Sequence, residues 1–209
     1  MNLVVIGASS GLGMNICKFY LSKYKNVNII CASSDIKELL NVQKDLYSRY
    51  RKKIILLKCD LLSKSDINKF SNFVIKKYKK KIDLIFYCSG VNLQNNDLMH
   101  SLSSFEDMLK INFIGFHALI SSLHKYLNNN NFKSNIIYIS SISTIRIRYK
   151  NFLYFTSKKI VEYYVKGLNM NLNKVNKNIL VVYMGYLNTK LGITINSFLK
   201  IDPYLASKI

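Results

Sequence analysis

The chain has 209 residues, 31 Lys+Arg against 11 Asp+Glu, a net charge of +20, and 49% hydrophobic residues. That length supports one domain with a substantial core. No stretch reaches the ~18 uninterrupted apolar residues of a membrane span, and the N-terminus lacks the basic n-region of a signal peptide.

Asn2-Leu3-Val4-Val5-Ile6 is a short apolar run of the kind that forms a buried parallel strand. It leads into Gly7-Ala8-Ser9-Ser10-Gly11-Leu12-Gly13 and then a helical pattern over about 12–24. Strand, glycine turn and helix together form the context in which such a motif means dinucleotide binding. Gly7 permits a tight turn, Gly11 lets backbone approach a pyrophosphate, and Gly13 lets helix and strand pack closely. The helix N-terminus offers N–H groups to the phosphates.

Further β-like runs recur at 27–31, 54–58, 82–88, 135–140 and 179–184, with helical patterns at 36–50, 64–79, 104–128 and 153–175. Such alternation predicts parallel strands with right-handed crossovers. The expected fold is α/β, a Rossmann-type doubly wound sheet of order 3-2-1-4-5-6 with helices on both faces, in one domain spanning 1–209. Asn128 to Asn131 reads as a turn without chemistry.

The run 135–140 leads into Ser140-Ser141, and thirteen residues after Ser141 stands Tyr154, with Lys158 four further on. Residues four apart share a helix face. A cation beside a phenol favours the phenolate, so Lys158 is expected to lower the Tyr154 pKa and ready it for proton transfer near neutral pH. Cys17, Cys31, Cys59 and Cys88 lack metal-ligand spacing and read as free thiols of a cytoplasmic protein. The densest charge run, Lys76 to Lys81 around Tyr78, reads as a solvated helix end complementing the helix dipole. No specific nucleic-acid partner is expected.

These motifs resemble the short-chain dehydrogenase/reductase family over nearly the whole chain. The resemblance implies carbonyl–alcohol interconversion by hydride transfer from or to a nicotinamide. Tyr154 would be the acid/base, Ser141 would hold the substrate oxygen, Lys158 would hold the nicotinamide ribose, and Asn112 would hold a relay water. Asp60, with Leu61 beside it, matches the acidic residue at the adenine. Gly90 is the surviving residue of the N-N-A-G segment, here Tyr87-Cys88-Ser89-Gly90, and Thr189 matches the threonine near the nicotinamide amide. Met184 replaces the family's proline before Gly185.

At the end of the second strand, Ser33 occupies the position that is acidic in NAD-binding relatives, and Ser34 the one that NADP-binding relatives fill with arginine. Two hydroxyls donate to a 2′-phosphate without repelling it and Lys37 could assist, so NADP is expected over NAD, while Asp35 with Glu38 forms a capping box on the next helix.

Family members continue past this chain's end into a seventh strand that helps close the pocket. Asp202 to Ile209 looks like the start of the helix before it, so the chain is either short by nature or a truncation. Relatives often assemble through the helices carrying Asn112 and Tyr154, which implies a homo-oligomer. Arg146, Arg148 and Asn151 also match a stretch in relatives that reduce a keto-sugar on a polyprenyl-phosphate carrier. A generic ketone or 3-oxoacyl reductase and a catalytically idle NADP-binding scaffold remain as alternatives.

Overall fold

The structure is a computed structural model. It describes all residues except 80, 93–101, 130–133, 147–151, 173–177, 190–199 and 209.

Six strands form one sheet: β1 (Asn2–Ile6), β2 (Asn28–Ser33), β3 (Ile55–Lys58), β4 (Leu84–Tyr87), β5 (Asn135–Ser141) and β6 (Asn178–Met184). Their order is β3-β2-β1-β4-β5-β6, all parallel. The switch in winding lies at β1, which pairs Leu3 with Ile29 on one side and with Leu84 on the other.

β1 is apolar without alternation because both its faces are covered. Val4 and Ile6 join one core with α3 (Lys64–Lys77), α5 (Gly115–Asn129) and α6 (Phe152–Leu172). Leu3 and Val5 join the other with α1 (Gly11–Lys23) and α2 (Ile36–Tyr50). Cys17 and Cys31 lie in that second core with sulfurs 3.4 Å apart, both as free thiols.

Helix starts follow their capping residues. Asp35 accepts from the Glu38 amide at 3.0 Å, and Ser63 from the Asp66 amide at 3.2 Å. The Asp35 amide also donates to Ser33 Oγ, at 3.3 Å. Lys76 and Lys77 close the last turn of α3, as the charge reading required. Tyr78 between the lysines is 5% exposed and belongs to the core, so it offers no ring to a base. Lys80 lies outside the described residues.

The single helix expected over 104–128 is three pieces. α4 (Leu102–Leu109) passes into a π turn over Lys110–Ile114 and then into α5. Asn128 and Asn129, expected in a loop, belong to the last turn of α5; Asn130 and Asn131 lie outside the described residues. After β6, Leu187 bridges to Ile201. Asp202 then caps α7 (Pro203–Ala206), accepting from Tyr204 and Leu205 amides, and α7 packs on α1. That is the helix start expected at Asp202.

Among the described residues no helix is long and apolar enough to cross a membrane.

Candidate active site

The carboxyl ends of the strands open into a groove of about 620 Å³. Its first wall is the glycine turn. Gly7 and Gly11 have φ of +83° and +53°, the left-handed region that favours glycine. A Cβ on Gly13 would run into the Gly7 carbonyl oxygen, so helix and strand approach as closely there as the sequence demands. Ser10 is the N-cap of α1, yet its side chain makes no capping bond and the first turn holds no acidic residue. The free N–H groups therefore face the groove with a positive dipole end behind them.

Every residue expected to hold the cofactor lines this groove: Gly7 to Gly13 except Ala8, then Ser33, Ser34, Asp60, Leu61, Gly90, Tyr154, Lys158 and Thr189. Several of these are already engaged. Ser33 Oγ donates to Ser9 Oγ at 3.0 Å, tying the end of β2 to the glycine turn. Asp60 Oδ1 accepts from the Leu62 amide at 2.9 Å. Thr189 packs on the turn: its Cγ2 lies 3.3 Å from where a Cβ on Gly11 would stand.

The reacting end is built from β5 and α6. β5 ends at Ser141, whose Oγ accepts from the Ser143 amide at 3.2 Å and the Ser143 hydroxyl at 2.7 Å. Tyr154 is 9% exposed and lines the groove together with Ser141. Lys158, 3% exposed, donates to the Ile139 carbonyl at 3.1 Å. A Cβ on Gly90 would lie 2.8 Å from Lys158 Nζ, so this glycine leaves the room the ammonium occupies.

The expected lowering of the Tyr154 pKa by Lys158 is not found. Burial pushes the Tyr154 phenol up to about 12, and the nearby Ser141 hydroxyl opposes this only in part. Burial likewise brings Lys158 down to about 7, with the Cys88 thiol the opposing influence. Taking each group out of water disfavours its charged form, and that cost dominates both shifts. Tyr154 is therefore a protonated phenol at neutral pH, the form that donates.

Asn112 differs from the other three. It sits in the π turn, fully buried beneath the groove. Its Oδ1 accepts from the Val91 amide, and its Nδ2 donates to the Val91 carbonyl and to Ser157 Oγ, at 3.0, 3.0 and 2.9 Å. Ser157 in turn donates to the Tyr154 carbonyl at 2.7 Å. The Asn112 main-chain carbonyl accepts from the Tyr138 hydroxyl at 2.7 Å. Asn112 thus clamps the segment after β4 to the helix that carries Tyr154 and Lys158.

Sequence reasoning passed over Ser157, Val91 and Tyr138. Ser157 was findable, being the residue before Lys158 on the buried face of α6; Val91 acts through its backbone and leaves no signal. At the groove's mouth stand Ile142, Arg146 and Tyr186. Arg148 and Asn151 lie outside the described residues. Among the described residues no group of His, Cys, Asp or Glu is arranged to hold a metal.

The family model for short chain dehydrogenases matches residues 1–200. An NADP-dependent 3-hydroxy acid dehydrogenase of Schizosaccharomyces pombe is 21% identical over 91% of this chain and 73% of its own length. A 3-ketodihydrosphingosine reductase of Mus musculus is 25% identical over 87% of this chain, which spans only 55% of that protein. The structure of a 3-ketoacyl-(acyl-carrier-protein) reductase of Brucella melitensis complexed with NADH superposes with a TM-score of 0.87 at 16% identity, covering 99% of this chain and 87% of that one. A match of the family model from the glycine turn through the helix of Tyr154 and Lys158 to Thr189 places this chain in the short-chain dehydrogenase/reductase family of oxidoreductases.

Proposed function

We propose that the protein interconverts a carbonyl and an alcohol by hydride transfer with a nicotinamide cofactor, Tyr154 being the acid/base. The observation that carries this is the convergence of Tyr154, Ser141 and Lys158 on the groove that opens at the glycine turn. The bound nicotinamide would supply or accept the hydride. The residues present suit it: free N–H groups at α1 for phosphate with Thr189 beside them, hydroxyls at the end of β2, and Lys158 at the reacting end.

The chain's own contribution is positioning and proton supply. Ser141 orients the substrate oxygen as charge develops on it. Tyr154, protonated at neutral pH, donates to that oxygen, which suits reduction. Asn112 is a positioning residue, holding Val91 and Ser157 in register with Tyr154.

NADP is the proposed cofactor. Ser33 and Ser34 put no carboxylate where a 2′-phosphate would lie, and the yeast relative's name carries NADP. The substrate reading we favour is a ketone or 3-oxoacyl compound, which the relatives' names support. A keto-sugar rests on Arg146 alone at the mouth of the groove. The free thiols support a reducing, cytoplasmic setting for a single domain over 1–209. Exposed Tyr163 and Met170 on α6 support a homo-oligomer. An idle scaffold would have no use for the Ser141–Tyr154 pair.

The test is a titration with NADPH and NADH, followed by a panel of 3-oxoacyl esters, simple ketones and nucleotide-linked keto-sugars under the tighter cofactor. NADPH-dependent reduction of at least one carbonyl class is expected. Tight NADPH binding with no turnover across the panel would favour the scaffold.

A further inference from the structure

One strand side chain beneath the groove connects two groups of the site. Tyr138 stands in β5, three residues before Ser141, and is fully buried. Its hydroxyl reaches the Asn112 carbonyl, while its ring lies under Lys158 with Nζ 4.8 Å from the centroid. The ring is held on two further sides. Tyr87 of β4 stacks on it at 5.5 Å with planes 16° apart, and Phe116 of α5 meets it edge-on at 4.9 Å. Tyr87 repeats the first contact, donating to the Ile111 carbonyl at 2.6 Å. Two neighbouring carbonyls of the π turn, where the regular helical ladder is widened, thus receive two tyrosine hydroxyls.

Lys158 has few other ways to hold a charge. The titratable groups facing it are the Cys88 thiol after β4, Tyr138 of β5 and Tyr154 on its own helix. Gly90 and Asn112 approach from the segment after β4 and from the π turn, and both are neutral. Glu162, one turn along α6, is paired with Lys159 at 2.7 Å. What stabilises an ammonium here is one backbone carbonyl, one ring face and the Cys88 sulfur. An aromatic face is negative and attracts a cation, more so when both are out of water.

We propose that Tyr138 is a positioning residue of the reaction: its ring seats the Lys158 ammonium while its hydroxyl pins the Asn112 carbonyl. The inference rests on the function proposed for Lys158, but the seat can be measured without turnover. Ring and hydroxyl are also separable. Phenylalanine keeps the seat and loses the pin, and fluorine on the ring weakens the seat at nearly constant shape.

The experiment follows Lys158 by NMR in ¹³C-lysine-labelled, cofactor-free protein, its signal assigned by loss in Lys158→Met. Tyr138→Phe should titrate within a few tenths of a pH unit of wild type. Mono-, di- and trifluorophenylalanine at 138 should lower the midpoint stepwise, to about one pH unit in all. A midpoint unmoved along the series overturns the seat.

The pin is read by amide exchange at Val91, which Asn112 holds. In Tyr138→Phe it should speed up about fivefold relative to the Val5 amide in the sheet, as expected for one lost hydrogen bond. Unchanged relative exchange overturns the pin. Should Tyr138→Phe fail to fold, fluorotyrosines at 138 carry the graded titration with the hydroxyl in place. A Lys158→Met protein that keeps full turnover overturns the proposed function, and the positioning role with it.

Discussion

The two ends of the groove prepare for a charged cofactor by opposite means. At the glycine turn the work is done by backbone: N–H groups of α1 left uncapped, two glycines at positive φ, and a third without room for a Cβ. At the reacting end it is done by buried side chains, Tyr154, Lys158 and Asn112, whose protonation and aim depend on what surrounds them. A backbone site has fixed dipoles and no pH dependence of its own. A side-chain site gains chemistry, and its cost is a lysine held in a place where charge is disfavoured.

Four variants break or sharpen that contrast. The largest effect belongs to Tyr154→Phe, which keeps the ring and removes the proton. Turnover should fall about 10²- to 10⁴-fold with NADPH affinity nearly unchanged, both read from steady-state kinetics and fluorescence titration. Activity within a few-fold of wild type would remove Tyr154 from the mechanism.

Lys158→Met tests the cost of the buried charge. Burial brings the folded value from 10.5 to about 7, so the penalty is fully present below pH 7 and fades as pH rises to 10.5. The variant should be the more stable protein at pH 6 by a few kcal/mol, each tenfold change in proton affinity being worth about 1.4 kcal/mol. The gain should shrink towards pH 10 in urea melts, while turnover and NADPH binding are damaged. A stability difference flat with pH would show that Lys158 titrates normally.

Gly13→Ala addresses the backbone end. Its methyl meets the Gly7 carbonyl, so α1 must shift, costing about 1–3 kcal/mol. The loss should be the same at pH 6 and pH 9, unlike the pH-dependent gain from Lys158→Met. Full stability with undiminished NADPH affinity would mean the turn is looser than its geometry.

Ser33→Asp has the smallest expected effect. A carboxylate there accepts from a ribose diol and repels a phosphate, and the Ser9 hydroxyl that now meets Ser33 remains to bond it. The NADPH-to-NADH affinity ratio should fall about tenfold, on the order of 1.4 kcal/mol. An unchanged ratio moves the selectivity position elsewhere, Ser34 being next in line.

The same contrast decides what was legible in the sequence. Val4 to Gly13 is a local pattern, and apolar run, glycine spacing and helix onset each act within a few residues. The spacing of Ser141, Tyr154 and Lys158 was equally plain, since a strand end and one helix carry all three. The π turn was not, because the apolar pattern runs on through 104–128. What accompanies the widened turn comes from far off: the hydroxyls of Tyr87 and Tyr138, 24 and 26 residues from the carbonyls they meet. Nor was the direction of the Tyr154 pKa. Adjacency to a lysine can be read from spacing, whereas burial is a property of the packed sheet.

The strand order also has a consequence in time. β1 is the first strand made, and its partner β2 follows at once; its other edge waits for β4. The bond from the Asn2 amide to Asp83 spans 81 residues. At synthesis rates of ~5–20 residues per second, that edge stays unpaired for roughly 4–16 s. During this interval an all-apolar strand end, later the floor of the groove, is open to pairing with another chain. A strand paired on both edges in the finished sheet thus has one edge open while the ribosome is still at work, and slowing translation after residue 87 should matter less to yield than slowing it before.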